Sequence, residues 1–291
     1  MRVRIVFSLR NKGAIVPFHH QHLLTQLIND VLSQGGNKFI NYELCNFSGL
    51  KGQTKVTHAG LCFYSSKITL VLSSPDVKFV DYFLVNLFRL SEVQVGQLLL
   101  SPESVVKEEH PFFKEEVKYV CISPIVLLAN NQREIDAKRF ISPETDQFSD
   151  LLYECTMNRM EALGTYSAEQ IASYFRFQIV PDKSYLDKIR LEEKKFARIY
   201  AAFDDNDEKI EVRGYTFPFT LYAAPDVHRF IFDCGIGELC SKGFGMIDIA
   251  DEQFHNRISP YRFENGEGPA NNVVADTTEG STDAVFQDKV A

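Results

Sequence analysis

The chain has 291 residues, 45% of them apolar, and a formal net charge of −8. No apolar run approaches the length of a membrane span, and the six cysteines form no C-x-x-C pair, which sets aside zinc ribbons and dithiol redox motifs and makes a reduced, cytoplasmic protein the expectation. The acidity is uneven: residues 251–291 hold eight acids against three bases, so the body carries only −3, and a nucleic-acid partner would need a local basic patch.

The opening MRVRIVFSLR alternates charged and apolar residues and reads as a first strand. FHHQHLLTQLINDVLSQGG follows as an amphipathic helix, with Phe18, Leu23, Leu24, Leu27, Ile28, Val31 and Leu32 on one side and Gly35–Gly36 as its stop. Strands are predicted at Lys55–Phe63 and Ile68–Ser73. Ser74-Pro75-Asp76 then opens a second helix whose apolar face is Phe79, Val80, Phe83, Leu84, Leu87 and Phe88. A strand from Val93 to Val106 completes β-α-β-β-α-β, the ferredoxin-like order.

The second half is a variation on the first. Lys118–Leu128 reads as a strand, Pro143–Leu163 and Ala168–Tyr174 as helices, and Phe175–Val180, Lys195–Phe203 and Lys209–Ala223 as strands. APDVHRFIFDCG is a short helix beginning beside Pro225, and GMIDIA a last strand. The fold class expected is α+β, with two tandem ferredoxin-like (RRM-like) domains over 1–115 and 116–250. Residues 251–291, polar and acidic, read as a flexible tail.

Between the last helix and the last strand lies GIGELCSKGFGM, Gly235 to Met246. Glycine admits positive φ and lets backbone N–H groups come close to a phosphate where a Cβ would collide. Gly235, Gly237, Gly243 and Gly245 are the candidates, with Lys242 adding charge and Ser241 a hydroxyl. A tight helix-to-strand turn is the alternative reading. The basic residues of 183–198 are interleaved with acids and read as a solvated face.

These segments together resemble a known family. CGIGELCSKGFGMIDI, the strand YVCISPIVLL and the N-terminal VPFHHQHLLTQLIN are similar to the CRISPR-associated endoribonucleases that process repeat RNA, the sixth CRISPR-associated protein family within the RAMP superfamily. Ser73-Ser74-Pro75-Asp76 and Ile141-Ser142-Pro143-Glu144 match as well, and the resemblance covers roughly residues 1–250. It implies cleavage of CRISPR repeat RNA by attack of the 2′-hydroxyl, without metal or cofactor, leaving a 2′,3′-cyclic phosphate and a 5′-hydroxyl. The alternative is a non-cleaving scaffold that binds repeat or guide RNA in an effector complex. Other CRISPR effector subunits and a second copy of the chain are the further partners it suggests.

That chemistry needs a base, an acid and a cation for the phosphorane. Relatives place a histidine after the first helix, a tyrosine on it and a lysine near the next strand. Here NYELCNFSGLKGQTKV contains no histidine, the tyrosine position falls close to Asn29, and Lys55 lies near the lysine position. The base is therefore sought in HHQH. His22 falls on the polar stripe with Gln26, Asn29 and Ser33, where a helix start keeps an imidazole neutral. His22 ranks first and His58 second. His19 and His20 are assigned to packing or capping, and Tyr42 is a weaker candidate. By the same resemblance Lys194, Lys195 and Arg198 would grip the repeat stem, as would Arg133, Lys138 and Arg139.

Overall fold

The computed structural model describes residues 1–36, 38–40, 42–128, 138–203, 208–250 and 254–263. The first unit is built from β1 (Arg2–Leu9), β2 (Ile15–Val16), α1 (Gln21–Gln34), β3 (Asn46–Phe47), β4 (Thr54–Thr57), β5 (Gly60–Phe63), β6 (Lys67–Ser73), α2 (Val77–Arg89), β7 (Val93–Val95) and β8 (Leu98–Glu108). Its main sheet runs β8-β1-β6-β3, antiparallel throughout, and two split β-α-β crossovers put α1 and α2 on one face. The alternation read in β1 decides which side is core. Val3, Ile5, Phe7 and Leu9 turn toward the helices, where they meet Leu24, Leu27, Ile28 and Val31 of α1 and Phe79, Val80, Phe83 and Leu84 of α2. The predicted strand 55–63 is a hairpin, β4–β5, extended by β2 into a separate small sheet. The strand expected over 93–106 is likewise a hairpin, β7–β8.

The second unit repeats the plan with an insertion. It comprises β9 (Glu116–Cys121), β10 (Ile125–Val126), α3 (Asp146–Leu163), α4 (Ala168–Ser173), β11 (Gln178–Pro181), α5 (Lys183–Leu191), β12 (Ala197–Phe203), β13 (Lys209–Tyr215), β14 (Phe219–Tyr222), α6 (Pro225–Cys234) and β15 (Ile247–Ile249). The sheet order β15-β9-β14-β11 has the same antiparallel layout as the first unit. The single strand expected over 209–223 splits at Thr216-Phe217-Pro218. β13 pairs with β12 and β10 in a three-stranded sheet of its own, while β14 joins the main one. Residues 183–191, read as a solvated stretch, form α5, capped by Asp182 and buried only at Leu186.

The tail expectation is corrected over its first part. Residues Phe254–Arg257 form a 3-10 turn, and β16 (Ile258–Pro260) adds an edge strand to the first sheet beside β8. Tyr261 is buried in the first core and donates to Asp81. Residues 264–291 and Arg133 lie outside the described residues.

The outward face of β1 carries Arg2 and Arg4, and the second unit covers it. Arg2 is buried, stacked 3.5 Å over the Phe232 ring and donating to the carbonyls of Phe232 and Ile247 at 2.6 and 3.0 Å. Arg4 pairs with Glu108 at 2.8 Å and with Asp248 at 3.3 Å, and Arg257 pairs with the same two carboxylates at 2.9 Å. Charges buried at this depth persist only because each finds an opposite charge or a carbonyl. Among the described residues no helix is long and apolar enough to cross a membrane.

Candidate RNA-binding and cleavage groove

The polar stripe of α1 is where the units leave space. A cleft of about 400 Å³ is bounded by Gln21, His22, Thr25, Gln26, Asn29 and Asp30 of α1, by Ala201–Phe203 of β12, and by Lys242 and Phe244 of the glycine segment. Thr25, Asn29 and Lys242 continue into a second cleft with Tyr42, Glu43 and Ser241. His22, Ala201 and Phe203 continue the other way into a third, with His19, Ala59 and Lys209. The result is one groove along α1, a helix about 21 Å long from its 14 residues.

The three histidines at the start of α1 differ in what their ring nitrogens do. His20 caps the helix and is buried. Its Nδ1–H donates to Pro17 O at 3.1 Å while Nε2 accepts the Leu50 N–H at 3.2 Å, so both nitrogens are used inside the fold. His22 is half-buried beside Phe203, ring centroids 5.4 Å apart, and its Nδ1 lies 3.1 Å from the His19 carbonyl. A carbonyl only accepts, so Nδ1 carries a proton, and in the neutral ring Nε2 holds the lone pair. His19 has the opposite arrangement. Its Nδ1 accepts the Ala201 N–H at 3.3 Å, which places the proton on Nε2, and its ring packs on Tyr200 at 4.6 Å. Burial lowers its pKa, and neighbouring Arg198 and His22 push in the same direction. Sequence reading assigned His19 to packing or capping; the partner it meets, the β12 edge, is far away in sequence.

His58 is exposed on the turn between β4 and β5, next to Ala59 at the groove's end. Lys55 is exposed on β4, the edge strand of the small sheet, and is not among the residues bounding the three clefts. Arg198 lies within electrostatic reach of His19. Lys194 pairs with Glu192 at 2.9 Å, and Lys195 is exposed just before β12. Lys138 pairs with Glu211, and Arg139 is exposed.

The glycine segment is ordered, and its four glycines all have positive φ, between +71° and +85°. Their environment corrects the cradle reading. Gly235 and Gly245 donate their N–H groups to Ile231 O and Pro124 O, and Gly243 donates to Cys240 O, so these three donors are consumed within the protein. What each glycine provides is contact. A Cβ on Gly243 would sit 2.4 Å from the Phe47 ring, and one on Gly235 would sit 2.1 Å from Asn46 Nδ2. At Gly237 and Gly245 the obstacles are the carbonyls of Val126 and Ile236. The segment thus seats on β3 of the first unit, where Asn46 Nδ2 also donates to Phe244 O at 2.7 Å. Arg159 of α3 holds its start, donating to Cys234 O, Gly235 O and Gly237 O at 2.6 to 3.1 Å. Ser123 Oγ accepts the Met246 N–H at its end. Ser241 and Lys242 remain half-buried on the groove wall.

The fold is α+β, two ferredoxin-like units clamped by a glycine segment. A family model described as CRISPR associated protein Cas6, C-terminal, matches residues 106–249. The second unit of the chain belongs to the Cas6 family. A curated relative, CRISPR-associated endoribonuclease Cas6 1 of Methanocaldococcus jannaschii, is 23% identical over 269 residues, covering 88% of this chain and 96% of the relative. Among solved structures, a Cas6-related protein from Pyrococcus furiosus superposes with a TM-score of 0.70 at 19% identity, covering 87% of this chain and 99% of that one. A RAMP protein described as binding different RNA substrates gives 0.67 at 17% identity, covering 86% and 100%.

Proposed function

We propose that this protein is an endoribonuclease that cleaves CRISPR precursor RNA within its repeats. The observation that carries the reading is His22, whose lone-pair Nε2 belongs to a ring lining a groove walled by α1, β12 and Lys242. A neutral imidazole with its proton fixed on Nδ1 is ready to act as a base. The 2′-oxygen forms the new P–O bond as its proton passes to His22, the P–O5′ bond breaks, and the leaving oxygen takes a proton from water. The products are a 2′,3′-cyclic phosphate and a 5′-hydroxyl. Lys242 and Ser241 on the wall, with Arg198 near His19, supply positive charge and a hydroxyl toward phosphates. Lys194 and Lys195 extend that charge along the approach to β12. Gly235, Gly237, Gly243 and Gly245 contribute by holding this wall in place. His58, at the mouth, is the second candidate for the base, and Lys55 would reach only flanking RNA. The curated relative's name, a CRISPR-associated endoribonuclease, supports RNA cleavage as the activity.

The test is incubation of the protein with a repeat-containing transcript in EDTA. Cleavage at one position is expected, abolished by a single 2′-deoxy substitution at the scissile nucleotide. Loss of cleavage in EDTA, restored by a divalent metal, overturns the metal-free reaction. Tight binding without cleavage supports the scaffold reading, which the histidine-free segment after α1 favours.

A further inference from the structure

We propose that His19 is a second catalytic residue of the groove, donating a hydrogen bond from Nε2 to a non-bridging oxygen of the scissile phosphate while remaining neutral. This rests on the endonuclease reading and deepens it. Three observations support it. His19 and His22 line the same cleft with Ala201 and Phe203, so both rings border the space a phosphate would enter. The two are mechanically linked, because the His22 Nδ1–H is received by the His19 carbonyl at 3.1 Å. The Ala201 N–H occupies the His19 Nδ1 lone pair at 3.3 Å, so a neutral ring necessarily carries its proton on Nε2.

The same bond decides which role His19 can take. An imidazolium would turn Nδ1 into a donor facing the Ala201 N–H, so protonation would cost that contact. Burial and the nearby Arg198 also disfavour the cation. A neutral imidazole is a very poor proton donor by transfer but a good hydrogen-bond donor to a developing negative oxygen, the electrophilic use of a neutral histidine. His22 and His19 are thus complementary, one presenting a lone pair and the other a fixed N–H. The competing explanation is that His19 only anchors the edge of β12 to the first unit.

Two amides separate these roles. In His19→Asn the side-chain oxygen can replace Nδ1 and accept the Ala201 N–H, but the Nε2 donor is gone. In His19→Gln the side-chain NH₂ can replace the Nε2 donor while the Ala201 acceptor is lost. We expect H19N to slow single-turnover cleavage of repeat RNA by about 100-fold, the usual loss for one phosphate or oxyanion donor. H19Q should stay within several-fold of the wild type. Sulfur replacing one non-bridging oxygen should slow the wild type and H19Q, and should cost H19N little. The reverse order, with H19Q slow and H19N normal, makes His19 an anchor and overturns the proposal. So does equal slowing of both with the sulfur effect retained, or normal rates in both. Circular dichroism and repeat-RNA affinity report whether each variant folds; if H19N does not, loss of the sulfur effect in H19Q overturns the proposal and its retention supports it. A wild type that binds repeat RNA without cutting it overturns the endonuclease reading itself, a result visible before any variant is made.

Discussion

At the scale of single residues, the glycines and histidines each separate into roles that composition alone does not distinguish. Gly243 combines a φ of +85° with a ring 2.4 Å from where its Cβ would be. Gly243→Ala is therefore expected to lose about 2 kcal/mol or more of stability, because strain and clash add. A urea titration measures this, and a variant with unchanged midpoint but lost RNA binding would return the phosphate-cradle reading. His22→Ala should slow repeat-RNA cleavage by about 100-fold, the scale of a general-base contribution, with binding little changed. Normal cleavage by that variant, with a slow His58→Ala, moves the base to the β4–β5 turn. Gln26 and Asn29 were legible as a polar stripe because helical periodicity is local. The His19 ring-nitrogen assignment was not, since it depends on Ala201, 182 positions away.

Among the elements, the glycine segment is held by α3 through one side chain. Arg159 donates three hydrogen bonds to the carbonyls of Cys234, Gly235 and Gly237, and its partners are main chain, so no substitution elsewhere compensates. Arg159→Met keeps the apolar stem but strands those carbonyls, and a loss of about 3 kcal/mol is expected, given 1.5–3 kcal/mol for a single bond to a charged donor. Repeat-RNA affinity should fall with it, because Ser241 and Lys242 hang from the same segment. A fully stable Arg159→Met protein would show that the segment is held by β3 contacts alone. Sequence periodicity found α1, α2, α3 and α6 and most strands. It missed α5, which buries only Leu186 and so lacks an apolar stripe. It also ran β13 and β14 together, because a change of sheet leaves no mark in alternation beyond Pro218.

For the whole molecule, two predictions concern how the units stay joined and how they respond to acid. Arg257 and Tyr261 bring residues beyond the family match back onto the first unit and its charge cluster. Ending the chain after Ala250 removes one guanidinium from Glu108 and Asp248 and uncovers the core beside Asp81. A fall in thermal midpoint is expected, and an unchanged midpoint would make the segment dispensable. His228 of α6 is fully buried, its Nδ1 receiving the Tyr119 hydroxyl at 2.9 Å, and burial pushes its pKa down to about 4. The unfolded chain takes up that proton near pH 6.5 and the folded chain only near 4, so stability is complete above about 6.5 and declines between the two. The loss is on the order of 3 kcal/mol from this group, with His19 and His20 shifted in the same direction. His228→Phe should flatten the decline in a pH series of urea midpoints; an equally steep decline in that variant assigns it to other groups.

By itself the sequence determined the β-α-β-β-α-β plan except for β3, whose place it gave to residues 55–63, together with the polar face of α1 and the position of the glycine segment. Each of these follows from local periodicity or from a residue type with narrow backbone uses. The tertiary structure decided what those features touch. It turned the glycines from open backbone into contacts with Phe47 and Asn46, and it brought residues 254–261 out of an expected tail. It also fixed the His19 ring through the Ala201 N–H of the second unit, in the tautomer opposite to that of His22. The physical reason is common to all three. A hydrogen bond or a close contact between positions far apart in the chain depends on how two units pack, and no spacing within either unit records that.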